Sequence, residues 1–170
     1  MLKLNEYDII SSVKGGIYMS IDIHNYADSI DNNKHITFYD VYKTLLNGID
    51  CIVCLESSAD LLGYSNGGYR PNINVYTTKD YNLPYLDCHI VSDLSKIKYQ
   101  NFHGIKVIPI EQTIIDLLQN NNSDEQVIFE SLANYYYGNN KSYSNIKPPK
   151  NLVKKFKYYA EGGKRYYETN

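Results

Sequence analysis

Between Cys51 and Leu118 the chain switches its hydrophobic period every few residues, and this alternation limits the folds open to it. Residues 50–56 (Asp-Cys-Ile-Val-Cys-Leu-Glu) are a short apolar run that makes either a buried strand or the end of a helix, since length alone does not separate the two. Ser57 or Ser58 then offers a hydroxyl to the free amides of a first helical turn, with Asp60 where the helix dipole favours negative charge. Gly63 stands where a left-handed residue closes a helix, and Ala59 lets that helix approach a strand closely. Residues 73–77 alternate, with Ile73, Val75 and Thr77 on one face and Asn74 and Tyr76 on the other, which predicts a strand with one buried face. Two more strands are expected at residues 88–91 and 106–110, separated by a polar loop around 96–104. Pro109 marks a strand end because it cannot donate to a ladder. Helices are expected at 57–63, at 111–119 with Ile114, Ile115, Leu117 and Leu118 toward the sheet, and at 124–137 through Val127, Ile128, Phe129, Leu132 and Ala133. Together these elements predict an α/β (α+β) domain, with a mixed, mainly antiparallel sheet near residues 49–110, packed helices and a basic C-terminal helix.

The same order of elements carries a resemblance. Ser58, Ala59, Leu61 and Gly63, an extended segment 75–78 ending in Thr78, and Gly104, Ile105, Val107, Glu111, Thr113, Asp116 and Leu117 resemble the AbiEi type of antitoxin and transcriptional regulator. That family belongs to abortive-infection (type IV toxin-antitoxin) systems, and the match covers well under half of the chain. The resemblance implies that the protein counteracts a cognate nucleotidyltransferase-like toxin and regulates its own operon, the matching positions serving the fold. Full-length members read their promoter with an N-terminal winged helix-turn-helix. Here residues 1–48 read as a short helical region, a reduced remnant of that module, with a Gly15-Gly16 break and a polar turn at 31–34. A helix over 37–46, with Phe38, Val41, Leu45 and Tyr42 on one face, stops at Asn47-Gly48. The region is acidic and has no recognition helix with clustered Lys and Arg, which counts against promoter binding. The competing expectation is a mobile-element-encoded inhibitor or adaptor that binds protein without binding DNA.

Charge divides the chain unevenly. Residues 1–146 hold ten Lys and Arg against seventeen Asp and Glu, a net of −7, and residues 147–170 hold seven against two, a net of +5, which together give the chain's −2. Three parts follow: 1–48, an α/β core over 49–146, and a basic segment over 147–170. In the last, Lys147, Lys150, Lys154, Lys155, Lys157, Lys164 and Arg165 are interleaved with Phe156, Tyr158, Tyr159, Tyr166 and Tyr167. Such a mixture either contacts nucleic acid, or else packs its tyrosines on the body with the lysines in solvent or meets an acidic partner protein. Without a complete promoter-reading module, the second alternative, with negligible DNA affinity, is expected for DNA in isolation. The tyrosine content is high, 19 against 4 Phe and no Trp, and composition is globular, with 43% hydrophobic and 21% charged residues. No apolar run reaches membrane-spanning length, so no membrane association is expected. Three cysteines without framework spacing agree with a reducing, cytoplasmic setting.

Catalytic patterns are sparse, and neither enzymatic activity nor a cofactor is expected. Cys51 and Cys54 form a Cys-x-x-Cys pair, but adjacent Cys88 and His89 on a strand point to opposite faces, so a shared zinc site is disfavoured. The thiols read as small buried hydrophobes. His24, His35, His89 and His103 read as surface or turn residues, and Gly67-Gly68 as a turn. Gly162-Gly163-Lys164 lacks the remaining residues of a phosphate loop. Asp87 or Asp93 with Lys106 and Glu111 is a conceivable nuclease-like cluster of no specific spacing.

Overall fold

The first helix of the core begins with a backbone turn and not with a side-chain cap. In the computed structural model, which describes residues 3, 4, 7–11, 17–20, 38–66 and 72–167 and side chains only from residue 39 on, strand β4 (Ile52–Val53) runs directly into helix α2 (Leu55–Leu61). Leu55 makes the corner at φ +50°, and the N-cap residue Cys54 offers no side-chain hydrogen bond. Ser57 and Ser58 therefore lie inside the helix, correcting their expected capping role, and Asp60 lies in the last turn, not the first. The other end is as expected. Gly63 sits at φ +76°, its N–H donates to the Asp60 carbonyl (2.9 Å), and Tyr64 N–H donates to the Ala59 carbonyl (2.8 Å), the paired bonds of a Schellman closure.

Strands β5 (Ile73–Thr77), β6 (Leu86–Ile90), β7 (Gln100–Phe102) and β8 (Ile105–Val107) complete a five-stranded sheet of order β6-β5-β4-β8-β7. The sheet is mixed. β4 pairs antiparallel with β5 and parallel with β8, β5 pairs parallel with β6, and β7 pairs antiparallel with β8, so the two senses are equal in number rather than mainly antiparallel. Strand β7 lies where a polar loop was expected. Gln100 and Asn101 are exposed at the sheet's edge, so no buried face marks the strand in the sequence. His103-Gly104 joins β7 to β8 as a two-residue turn with φ values of +49° and +83°, the pattern that favours glycine at the second position.

Helix α1 (Phe38–Leu45) covers one face of the sheet, where Tyr42 packs with Val53, Val75, Ile105 and Val107. The opposite face carries α2, against which α3 (Ile110–Gln119) and α4 (Glu125–Gly138) pack, and α5 (Val153–Arg165) packs on α4; Ile52, Ile108, Ile114, Leu117 and Leu132 share the core so formed. Each such side chain taken fully from water contributes about 1.5–3 kcal/mol before chain entropy is counted. With a layer on both sides, β5 is buried on both faces: Val75 is 0% and Asn74 3% exposed, correcting the expected single buried face. The backbone N–H of Asn74 donates to Ser57 Oγ (2.9 Å) and its side-chain oxygen meets His89 Nε2 (2.8 Å), while its Nδ2 is buried without a hydrogen-bond partner among the described residues.

Residues 1–48 are not solely helical: β1 (Lys3–Leu4), β2 (Tyr7–Ser11) and β3 (Ile17–Ser20) form an antiparallel meander ahead of α1. The Gly15-Gly16 break, the turn at 31–34, His24, His35 and Gly67-Gly68 lie outside the described residues.

Candidate functional site

Most positions that carry the resemblance build the core. Ser58, Ala59 and Thr113 are 0% and Leu61 1% exposed. Ser58 Oγ and Thr113 Oγ1 lie 2.6 Å apart and share one hydrogen bond in which either hydroxyl can donate, the other turning its proton to a backbone carbonyl (Leu55 for Ser58, 3.0 Å; Pro109 for Thr113, 3.1 Å), which ties α2 to α3 inside the core. Gly63 and Gly104 hold the two left-handed turns described above.

Glu111 and Asp116 differ, because both face an open groove of about 810 Å³ along α3. Its floor includes Ile97, Ile108 and Ile115, and Lys96, Lys98 and Lys147 stand on its rim. Asp116 is held from two sides: Tyr76 OH donates to Oδ2 (3.0 Å) and Gln112 Nε2 to Oδ1 (2.7 Å). Burial pushes its carboxyl above the usual range, and these two donors only partly oppose the shift. Burial and the adjacent Asp116 likewise raise the Tyr76 phenol far above its ordinary value. Glu111 accepts from Tyr135 OH (3.1 Å). The groove thus combines an apolar floor, a hydrogen-bonded carboxylate and flexible cations, in the size range of small-molecule and peptide-side-chain pockets. Among the described residues of the basic segment, Lys147 alone lines it. Tyr76, Gln112 and Lys98 were not anticipated as site residues.

The remaining basic residues separate by their environment on α5 and on the 3-10 turn Lys150–Leu152 that leads into it. Lys155 turns inward and donates to the Leu118 carbonyl (2.7 Å), placing a cation at the negative end of α3. Lys164 pairs with Glu161 at 2.6 Å. Arg165 is exposed, as are Lys150, Lys154 and Lys157, and none of these three lysines forms an ion pair with a described residue. The tyrosines divide as well. Tyr159 is buried against α4 with its OH on Glu125 (2.8 Å) and Tyr166 donates to Glu130 (2.9 Å), whereas Tyr158 is 67% exposed.

The other chemistry-bearing residues remain apart. Burial first, then the Asp50 charge, raises the Cys51 thiol to about 11, and burial holds the Cys54 thiol well above its ordinary value, so neither is a ready thiolate. Among the described residues no group of three or more His, Cys, Asp and Glu is placed to hold a metal ion. His89 is a half-buried strand residue bonded to Asn74, not a surface or turn histidine, while His103 stacks on Tyr39 at 4.0 Å in its turn. The conceivable nuclease-like residues each have a different partner: Asp87 holds Asn72, Asp93 holds Ser95, Lys106 pairs with Asp50, and Glu111 holds Tyr135. No described helix is long and apolar enough to cross a membrane.

Comparison with known proteins matches the chain to no family model and to no curated relative.

Proposed function

We propose that this is an antitoxin-type regulatory protein of the cytoplasm, which counteracts a cognate nucleotidyltransferase-like toxin and regulates its own operon. The observation that carries this reading is the groove on α3: two positions of the resemblance, Glu111 and Asp116, line an open recognition surface while the others secure the core beneath it. Its apolar floor and hydrogen-bonded carboxylate suit the capture of a partner side chain. Toxin contact is assigned to this groove.

The test is co-expression with the product of the adjacent gene. Growth should be rescued by the wild-type chain and lost with Ile115→Arg, which fills the groove from a half-exposed position, provided the variant melts like the wild type. Failure of the wild-type chain to rescue overturns the antitoxin reading. Rescue by a folded Ile115→Arg variant leaves that reading standing and removes the groove from it.

A further inference from the structure

We propose that the outer face of α5 binds single-stranded nucleic acid, with Tyr158 stacking on a base and Lys150, Lys154 and Lys157 following the phosphate backbone. Helical spacing brings these groups together: Lys154, Lys157, Tyr158 and Arg165 share one side of α5, with Glu161 on the turn between Tyr158 and Arg165, and Lys150 stands just ahead in the 3-10 turn (Lys150–Leu152) that leads into the helix. Lys154 to Arg165 spans about 16 Å of helix at the usual rise per residue. Tyr158 is the most exposed of the large apolar or aromatic side chains described, at 67%, and its inner edge rests on Phe129 (ring centroids 6.3 Å apart) and Tyr159 (5.1 Å). The ring is therefore supported from behind and open in front.

Two observations favour phosphate over a protein carboxylate as the anion. The free cations are lysines, which act as point charges toward phosphate and are depleted from protein interfaces, where arginine forks are enriched. The net positive charge is also concentrated at this end of the chain, since residues 147–170 carry a net +5 and residues 1–146 a net −7, so a polyanion is drawn to this end and repelled on average by the rest. Among the described residues Glu161 is the one acidic residue on this face, and it is already paired with Lys164. An exposed supported ring selects an unpaired base over a duplex, in which both base faces are already stacked. This inference is independent of the antitoxin reading.

The test is fluorescence anisotropy of the full chain with labelled oligo-dT and oligo-U of about 12 nucleotides, between ~25 and ~200 mM salt. Binding should weaken with salt at a logarithmic slope of about −2 to −3, roughly −0.7 for each of three or four phosphate contacts. Tyr158→Ala should weaken it about 5- to 100-fold without changing that slope, and Tyr158→Phe should retain it, because stacking needs the ring and not the hydroxyl. Lys154→Gln should make the slope shallower by about 0.7. Both positions are exposed, so the melts of these three variants should match the wild type. Absence of binding at the lowest salt overturns the proposal. So does equal affinity of wild type and Tyr158→Ala for a matched duplex and the single strand, or binding only to a glutamate-rich peptide, which would assign the face to an acidic protein.

Discussion

Replacing Gly162 with alanine sets helix propensity against packing, and the surroundings of the glycine decide between them. A glycine inside a helix costs about 1 kcal/mol relative to alanine, so at an open position the change would stabilise. In α5 an added Cβ would lie 2.3 Å from Phe129 Cε1 and 2.9 Å from its Cδ1. The ring has little freedom to withdraw: its centroid is 4.8 Å from that of Tyr159, which is buried and anchored to Glu125. Overpacking of this kind costs about 1–3 kcal/mol. Set against the propensity gain of about 1 kcal/mol, the expected net loss is about 1 kcal/mol, or roughly 2–4 °C in Tm for a chain of this size. The discriminating measurement is a double-mutant cycle by urea or thermal unfolding. In a Phe129→Leu background the obstructing ring is gone, so the same glycine substitution should become neutral or stabilising, with a coupling of about 1–3 kcal/mol. A rise in Tm on the wild-type background, or an identical effect on both, would refute the α4–α5 contact described here.

Gly163→Ala should lose more than Gly162→Ala by the same melts, because one of its new neighbours, the Ala133 backbone nitrogen at 3.1 Å, has no side-chain freedom to yield. Asp116 titrates above its ordinary 3.8, so stability falls as pH rises from there through the higher folded value. Asp116→Asn should flatten that part of the profile and be at least as stable as wild type at pH 7, and a marked loss at pH 7 would contradict it. Burial raises Glu130, but hydrogen bonds from Gln126, Asn66 and Tyr166 outweigh it and hold the carboxyl below 4.5; its contribution is present above 4.5 and lost as pH falls through the folded value. Tyr166→Phe should therefore cost about 1 kcal/mol at pH 7 and less near pH 3. Cys51 and Cys54 should resist iodoacetamide at pH 8 until the chain unfolds, and rapid native labelling of either would contradict their burial. Ala59→Leu, at a position with 0% exposure, should strain the core by about 1–3 kcal/mol, and an unchanged melt would misplace α2.

What could be read from the sequence, and what could not, follows from what hydrophobic periodicity reports. Ile114, Leu117 and Leu118 on α3, and Val127, Ile128 and Leu132 on α4, are spaced for one buried face, and all six are buried. Gly63 was legible as punctuation because its chemistry is local, the supply of a left-handed turn. Strand β7 was illegible because its pairing is made by backbone groups, and an edge strand with polar side chains has no apolar period to display. The start of α2 was misread for a related reason: serine hydroxyls near a helix start suggest a cap, yet Ser57 and Ser58 are spent on Asn74 and Thr113 while Leu55 turns the chain. The groove is further still from sequence-level signals. Its walls come from Tyr76, the 96–98 segment, one side of α3, and Asn145 with Lys147. Periodicity identifies which face of each element is buried, but a groove forms where two such elements fail to meet, and that gap belongs to no single element. The same reasoning separates the lysines of α5, for Lys154 and Lys155 are neighbours in sequence and chemically identical, yet only Lys155 lies on the side that reaches the last turn of α3.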